Sequence, residues 1–441
     1  MGTFRDQYIE VGLADSTFAD LDTDGLPDTS SVTFRALSVV FDGGIISGLS
    51  RRFNRADHIR VALGEAAASQ EGFVNATGGA AYEAANGTFI GEEFGDLSFR
   101  LRLRGPGSGN ALASTALLEL LSTTLAVHTP SSATTAVDAA GANAGVFDVG
   151  TGDGANFTAG EVISAVVNNR VEYAIVTDIA TDTITVSPKF SQALDSGDTV
   201  RHCVSFYPKT GTPTARDCFI RFNAGGQGSA ADVRRLACGC RVTGLAVEFE
   251  QESAFLRITV SPSVILADDT NASVSASSEL AGPVAQFVGS YSVLGADHSA
   301  ASVPVTSART ALALYGWSAE MTFGVAPTTP SQSVITRTTG SEVTSARCTA
   351  TLTSTYTSTL RNLLRLGETR NLVLGMGPAA AGAGACLVIA SAGPSDGANA
   401  VSGGENDRTE MQTVVTAQEW GGVDGATALA VAPFQLAIPM G

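Results

Sequence analysis

From Cys240 to Pro262 the chain reads CRVTGLAVEFEQESAFLRITVSP. Apolar residues alternate with small or polar ones on both sides of a tip spelling Glu-Phe-Glu-Gln-Glu. A period of two marks a strand whose two faces meet different surroundings, so the segment predicts a long antiparallel hairpin. It holds no histidine, no paired metal ligand and no nucleophile set beside a base. The same alternation governs SFRLRLRG, where Phe99, Leu101 and Leu103 point one way and Arg100, Arg102 and Arg104 the other. Stretches of this kind outnumber helical ones and predict a mainly β fold with few short helices.

The elements recur in order. After SFRLRLRG and a Gly/Pro/Ser loop, ALASTALLELLSTTLAV predicts a helix over 111–127. In the second half SARCTATLTSTY alternates Cys348, Ala350 and Leu352 against threonines. TSTLRNLLRLG then predicts a short helix capped by Ser/Thr and closed by Gly367, and ETRNLVLGMG another strand. RALSVVFDGG (35–44) and TALALYGW (310–317) each read as an apolar strand running into a Gly turn. Each half also carries a paired β segment after its helix: the opening hairpin in the first, ACLVIASAG with EMQTVVTAQEW across a long polar loop in the second. This order implies an internal duplication. The expected organisation is an N-terminal arm (1–34), a first β domain (35–128 and 201–266), a small inserted β-domain (129–200) of five or six short strands, a linker (267–305), and a second β domain (306–441).

Composition narrows the function. Charged residues are 16% of the 441, and the formal net charge is −17. A nucleic-acid binder needs a basic patch, which this balance argues against. An acidic wall repels phosphate, although ordinary solubility explains the same total. The N-terminus lacks an apolar leader segment, and no run of 18 apolar residues predicts a membrane span. Six scattered cysteines in so long a chain read as buried free thiols, with Cys238 and Cys240 opening a strand on one side.

DLDTDGLPD sets Asp20, Asp22, Asp24 and Asp28 at positions 1, 3, 5 and 9 of a loop. Clustered oxygens at that spacing suit Ca²⁺, but Ser31 stands where an EF-hand has its bidentate Glu. A Ca²⁺ loop and an Asp/Gly/Pro turn are both open readings; no cofactor is otherwise required. His58, His128, His202 and His298 are far apart, and no arrangement predicts catalysis. Arg100, Arg102 and Arg104 are expected to pair with carboxylates of a neighbouring strand or subunit rather than with DNA.

Taken together, EEFGDLSFRLRLRGPGSG with its following helix, CGCRVTGLAVEFEQESAFLRITVSP, ALALYGWSAEMTFGVAP and the closing EMQTVVTAQEWGG…PFQLAIP resemble the major tail tube proteins of long-tailed bacteriophages. The likeness spans most of the chain outside the insert and the first thirty residues. It implies duplicated tail-tube β-sandwich or barrel domains, with the insert resembling an outer decoration domain. It implies a structural, non-enzymatic virion protein, assembled in the host cytoplasm. Rings stack into a hollow tail tube, as trimeric pseudo-hexamers if two tube domains share one chain. Its expected partners are further copies, the tape measure and tail terminator proteins, and genomic DNA passing without sequence-specific binding; no membrane is involved. Glu248, Glu250 and Glu252 are then expected to project from the hairpin tip to the next ring or the lumen. Two alternatives remain: one tube domain per chain in a true hexamer, and a virion or cell-surface β-domain binding a glycan or receptor. The second needs an exposed aromatic platform, for which the indoles are Trp317 and Trp420.

Overall fold

The computed structural model describes residues 9–13, 29, 32–37, 39–40, 46–51, 93–105, 116–208, 218–223, 234–262, 264–267, 285–295, 309–327, 341–355, 370–377, 384–402, 410–417, 429–430 and 432–440. Alternating sequence becomes antiparallel sheet throughout, and the fold is mainly β.

In chain order the first strands are β1 (Ile9–Leu13), β2 (Arg35–Leu37), β3 (Val39–Val40), β4 (Ile46–Arg51) and β5 (Glu93–Arg102), followed by helix α1 (Ala116–Ser122) and β6 (Leu125–His128). Next come β7 (Thr134–Ala140), β8 (Val146–Val149), β9 (Val162–Val167), β10 (Arg170–Ala180), β11 (Thr183–Ser187) and β12 (Thr199–Pro208). The chain continues with β13 (Cys218–Asn223), β14 (Arg234–Cys238), β15 (Arg241–Glu250), β16 (Ser253–Ser261) and β17 (Val264–Ala267). The second half holds β18 (Gln286–Leu294), β19 (Thr310–Ala311), β20 (Leu314–Pro327), β21 (Ser341–Thr355), β22 (Arg370–Gly377), β23 (Ala385–Ser402), β24 (Glu410–Ala417) and β25 (Phe434–Pro439).

One pairing order occurs twice. In the first half β1 pairs with β13, β13 with β14 and β14 with β17, while β15 pairs with β16, β16 with β5, and β5 with β3 and β4. In the second half β18 pairs with β22, β22 with β23 and β23 with β25, while β23 pairs also with β24, β24 with β21 and β21 with β20. Where the first half uses β14 and β15, the second uses the single 18-residue β23, whose residues 385–392 pair with β22 and 392–402 with β24. The two halves meet where β15 pairs antiparallel with β20, Gly244–Val247 against Ala319–Thr322, and also where Ser253 of β16 pairs with Gln286 of β18 and β12 with β25. A continuous sheet thus runs from β3/β4 through β5, β16, β15, β20, β21 and β24 to the far part of β23.

Residues 134–202 form a second sheet from β7–β11 and the start of β12. Its own core includes Phe147, Phe157, Ile163, Val176, Ile184 and Phe190. Strand β12 belongs to both sheets. Thr199–His202 pair with β7 and β9, whereas Cys203–Phe206 pair with β25 and Ser205–Pro208 with β6. Gly160, at φ +89°, lies so close to Ala430 that a Cβ would sit 2.3 Å from its Cα, which only glycine permits.

Several expectations change. The helix does not reach residue 127: α1 ends at Ser122 and 125–128 is strand. The β-branched Thr123 bonds back to the Leu120 carbonyl at 2.7 Å, and the Thr124 hydroxyl reaches the Val242 carbonyl at 2.9 Å. Beyond them, β12 offers ladder hydrogen bonds that a lone last helical turn cannot match. Gly316 makes no turn; a bulge at Leu314/Gly316 absorbs it inside β20. Half of the expected polar loop, up to Ser402, is strand, since the outer side of β24 supplies backbone partners whatever the side chains. Within the expected linker, Gln286–Leu294 forms β18. Cys238 and Cys240 do not share a side. Gly239 at φ +62° turns the chain between β14 and β15, so Cys238 packs with Phe34 and Phe219 while Cys240 enters the main core. Residues 111–115 and the second predicted helix lie outside the described residues.

The opening hairpin forms as expected, with a bulge between Val242 and Gly244 that lets both Val242 and Leu245 face inward. Its two-residue turn puts Gln251 at φ 46° and Glu252 at φ 71°. A left-handed backbone costs an ordinary residue roughly 1 kcal/mol, and Asn-Gly suits such hairpin turns. Gln251→Asn with Glu252→Gly should therefore raise stability by about 1 kcal/mol, read as a higher urea midpoint. A lowered midpoint would contradict the turn geometry.

Candidate functional surface

The sheet shared by the two halves has two unlike faces. On one, Leu101, Leu256, Val247, Ala319, Ala350 and Val415 form a continuous buried row across six strands, with Phe99, Ile258, Leu245, Met321 and Cys348 beside it. On the other, Ser98, Thr259, Gly244, Thr322 and Arg347 form one row, and Arg100, Arg257, Ala246, Glu320, Thr349 and Thr416 the next. This outer face is small, hydroxyl-rich and of mixed charge. Two of its arginines are matched: Arg100 donates to Glu250 at 3.1 Å and Arg257 to Glu248 at 3.0 Å. The Arg100 guanidinium also lies over the Phe255 ring at 4.6 Å. Of the arginine stripe expected to pair with carboxylates of a neighbouring strand or subunit, Arg100 has a carboxylate partner, but on β15, beyond the neighbouring β16.

Glu248 and Glu250 therefore lie along the sheet, not beyond it; Glu248 leans onto Arg257 of the adjacent β16, and Glu250 reaches Arg100 on β5, one strand further. Glu252 alone occupies the turn, where it is exposed. The tip is held by Phe249, whose ring meets Trp317 edge-on at 4.9 Å. Trp317 is buried by that contact and by the main core, so it offers no platform to a glycan. Asp20, Asp22, Asp24, Asp28, His58, His298 and Trp420 lie outside the described residues. Among the described residues no group of three or more His, Cys, Asp or Glu side chains is arranged to hold a metal ion.

A polar cluster that spacing does not reveal sits where β12 changes sheets. The Glu161 carboxylate is fully buried and has an imidazole on each oxygen: His128 Nε2 at 3.0 Å and His202 Nδ1 at 2.9 Å. A carboxylate only accepts, so both ring nitrogens facing it carry hydrogen. The far nitrogen of His202 meets the Thr135 hydroxyl at 2.9 Å. Thr135, His202 and Glu161 thus stand in the order nucleophile, base and orienting acid. They are 4%, 0% and 0% exposed, so no substrate carbonyl can approach, and Phe157 covers the His202 ring at 4.6 Å. The cluster ties together β6, β7, β12 and the entry to β9. Nearby, Gln435 donates to the Gly160 carbonyl at 2.9 Å and Tyr173 to the Met376 carbonyl at 3.3 Å.

All six cysteines are free and buried. Burial is the first cause raising the thiols of Cys203, Cys240, Cys348 and Cys386; the Glu161 charge adds to it at Cys203. A maleimide should modify none of them in the native chain and all six in denaturant. A fast-reacting native thiol would contradict the burial.

No protein-family model matches the chain. No curated protein matches it either.

Proposed function

We propose that this chain is a tail tube subunit of a long-tailed bacteriophage. It carries two tandem tube domains and an inserted small β-domain, and it assembles as stacked trimeric rings of pseudo-sixfold symmetry. The rings form a hollow conduit for DNA ejection in the virion tail. The observation that carries the reading is the twofold recurrence of one strand-pairing order, with the two halves fused side by side through β15 and β20. A chain built this way holds two consecutive segments of a ring wall. The outer face suits passage of a polyanion: it is rich in hydroxyls, and Arg100 and Arg257 are matched by Glu250 and Glu248. A structural role needs no catalytic constellation in that face.

Negative-stain imaging of the purified chain at high concentration tests the reading. Rings or tubes with a central hole, three chains per turn, are expected. Discrete monomers at every concentration would overturn it; six chains per ring would favour one tube domain per chain.

A further inference from the structure

The first half turns a corner that the second half does not. Strand β23 runs unbroken through residues 385–402, whereas the first half passes from β14 to β15 at Gly239, φ +62°. Three cysteines stand at that corner. Cys218 opens β13, Cys238 closes β14, and Cys240 precedes β15.

The backbone sets two of them together. Carried on by two residues, the register of Ile220 with Ala237 places Cys218 opposite Gly239. The Cys240 N–H also donates to the Cys218 carbonyl, at 2.9 Å. Gly239 and Cys240 thus both face Cys218, the form of a bulge whose first residue is glycine. Residues hydrogen-bonded across antiparallel strands have Cα atoms about 5.5 Å apart, within the roughly 4.4–6.8 Å that a disulfide spans. The side chains agree. Cys218 and Cys240 are fully buried in the main core with Ile220, Phe222 and Val242. Cys238 lies on the other side with Phe34 and Phe219, so its side chain points away from both.

We propose that Cys218 and Cys240 are a disulfide-forming pair, a covalent catch that ties β13 to the start of β15 when the chain meets an oxidant. The inference does not depend on the function proposed above. In the structure the pair is open. A small-molecule disulfide supplies the oxidation. One protein thiolate attacks a sulfur of it and expels a small thiol; the second attacks the resulting mixed disulfide and expels the other. The two protein thiol protons end on the two small thiols, and two electrons reduce the small disulfide. Burial, with the Cys218 and Cys238 thiols beside it, pushes the Cys240 thiol up. Closure therefore belongs to folding, or to opening of the corner, and not to the closed native state.

Refolding of the full chain from urea tests the pair, in a buffer of oxidised and reduced glutathione that reaches both thiols. Maleimide labelling in denaturant, counted by mass, should find four thiols and no glutathione adduct, against six after refolding with reduced glutathione alone. Trypsin should release Asp217–Arg221 joined to Leu236–Arg241. Fragmentation of that joined pair should place the bond on Cys240, with the maleimide on Cys238. Cys240→Ala should lose the link and label at all its remaining cysteines. Six thiols in the parent after oxidative refolding would overturn the proposal, as would a bond on Cys238 or on any cysteine outside the corner.

Discussion

Glu161→Ala should destabilise the protein by about 3–5 kcal/mol, the usual cost of removing one partner from a buried charged network. The substitution leaves His202 and His128 facing a hole, with ring N–H groups that had the Glu161 oxygens at 2.9 and 3.0 Å. The loss should be local first. Hydrogen exchange should rise in β6, β7, β9 and β12 before it rises in β21 or β22, because the cluster pins the strand that serves both sheets. A second variant separates a structural pin from simple crowding. Glu161→Leu with His202→Leu removes the charge and its buried partner together, so it should lie nearer the parent than Glu161→Ala does. Urea unfolding followed by circular dichroism gives the order. A midpoint for Glu161→Ala equal to the parent's, or a double variant worse than the single, would refute the role assigned to the network.

The second large effect concerns DNA. Replacing Glu248, Glu250 and Glu252 together by Lys changes each charge by two and takes the formal net charge from −17 to −11. Two of the three glutamates neutralise Arg257 and Arg100, so the change also removes those counter-charges from the outer face. Stability should fall only modestly, since exposed ion pairs contribute about 1 kcal/mol or less each. DNA affinity should change far more. The assembled parent is expected to leave duplex DNA unretarded in a gel shift at physiological salt. The triple variant should retard it, with binding that falls about 10³-fold or more between 50 and 200 mM salt if roughly six phosphates are engaged. Glu→Gln at the same three positions should give a weaker effect, since it removes the negative charges without adding lysines. A triple Lys variant as inert toward DNA as the parent would remove the carboxylates from any role in passage.

Much of the sheet was legible because period-two alternation reports burial directly. Phe99, Leu101 and Leu103 are buried and Arg102 exposed, as the alternation requires. The hairpin around Gln251 was legible for the same reason. What misled were places where a backbone partner overrides side-chain character: 125–128 joins β12 despite a helical pattern, and 394–402 joins β24 despite its polar composition. The bulge at Val242/Gly244 shifts the phase of a strand by one residue, and the lone Gly244 is its one local signal. The Glu161 cluster was invisible for a different reason. Its members lie 33 and 41 residues from the carboxylate, so no motif window contains them.

By itself the sequence determined which segments extend and which of their faces turn inward. Only the tertiary structure decided that β15 lies against β20 and that β12 serves two sheets. The reason lies in the peptide unit. Every extended segment carries the same donors and acceptors along its edges, so alternation says that a strand needs a neighbour and leaves its identity to long-range packing.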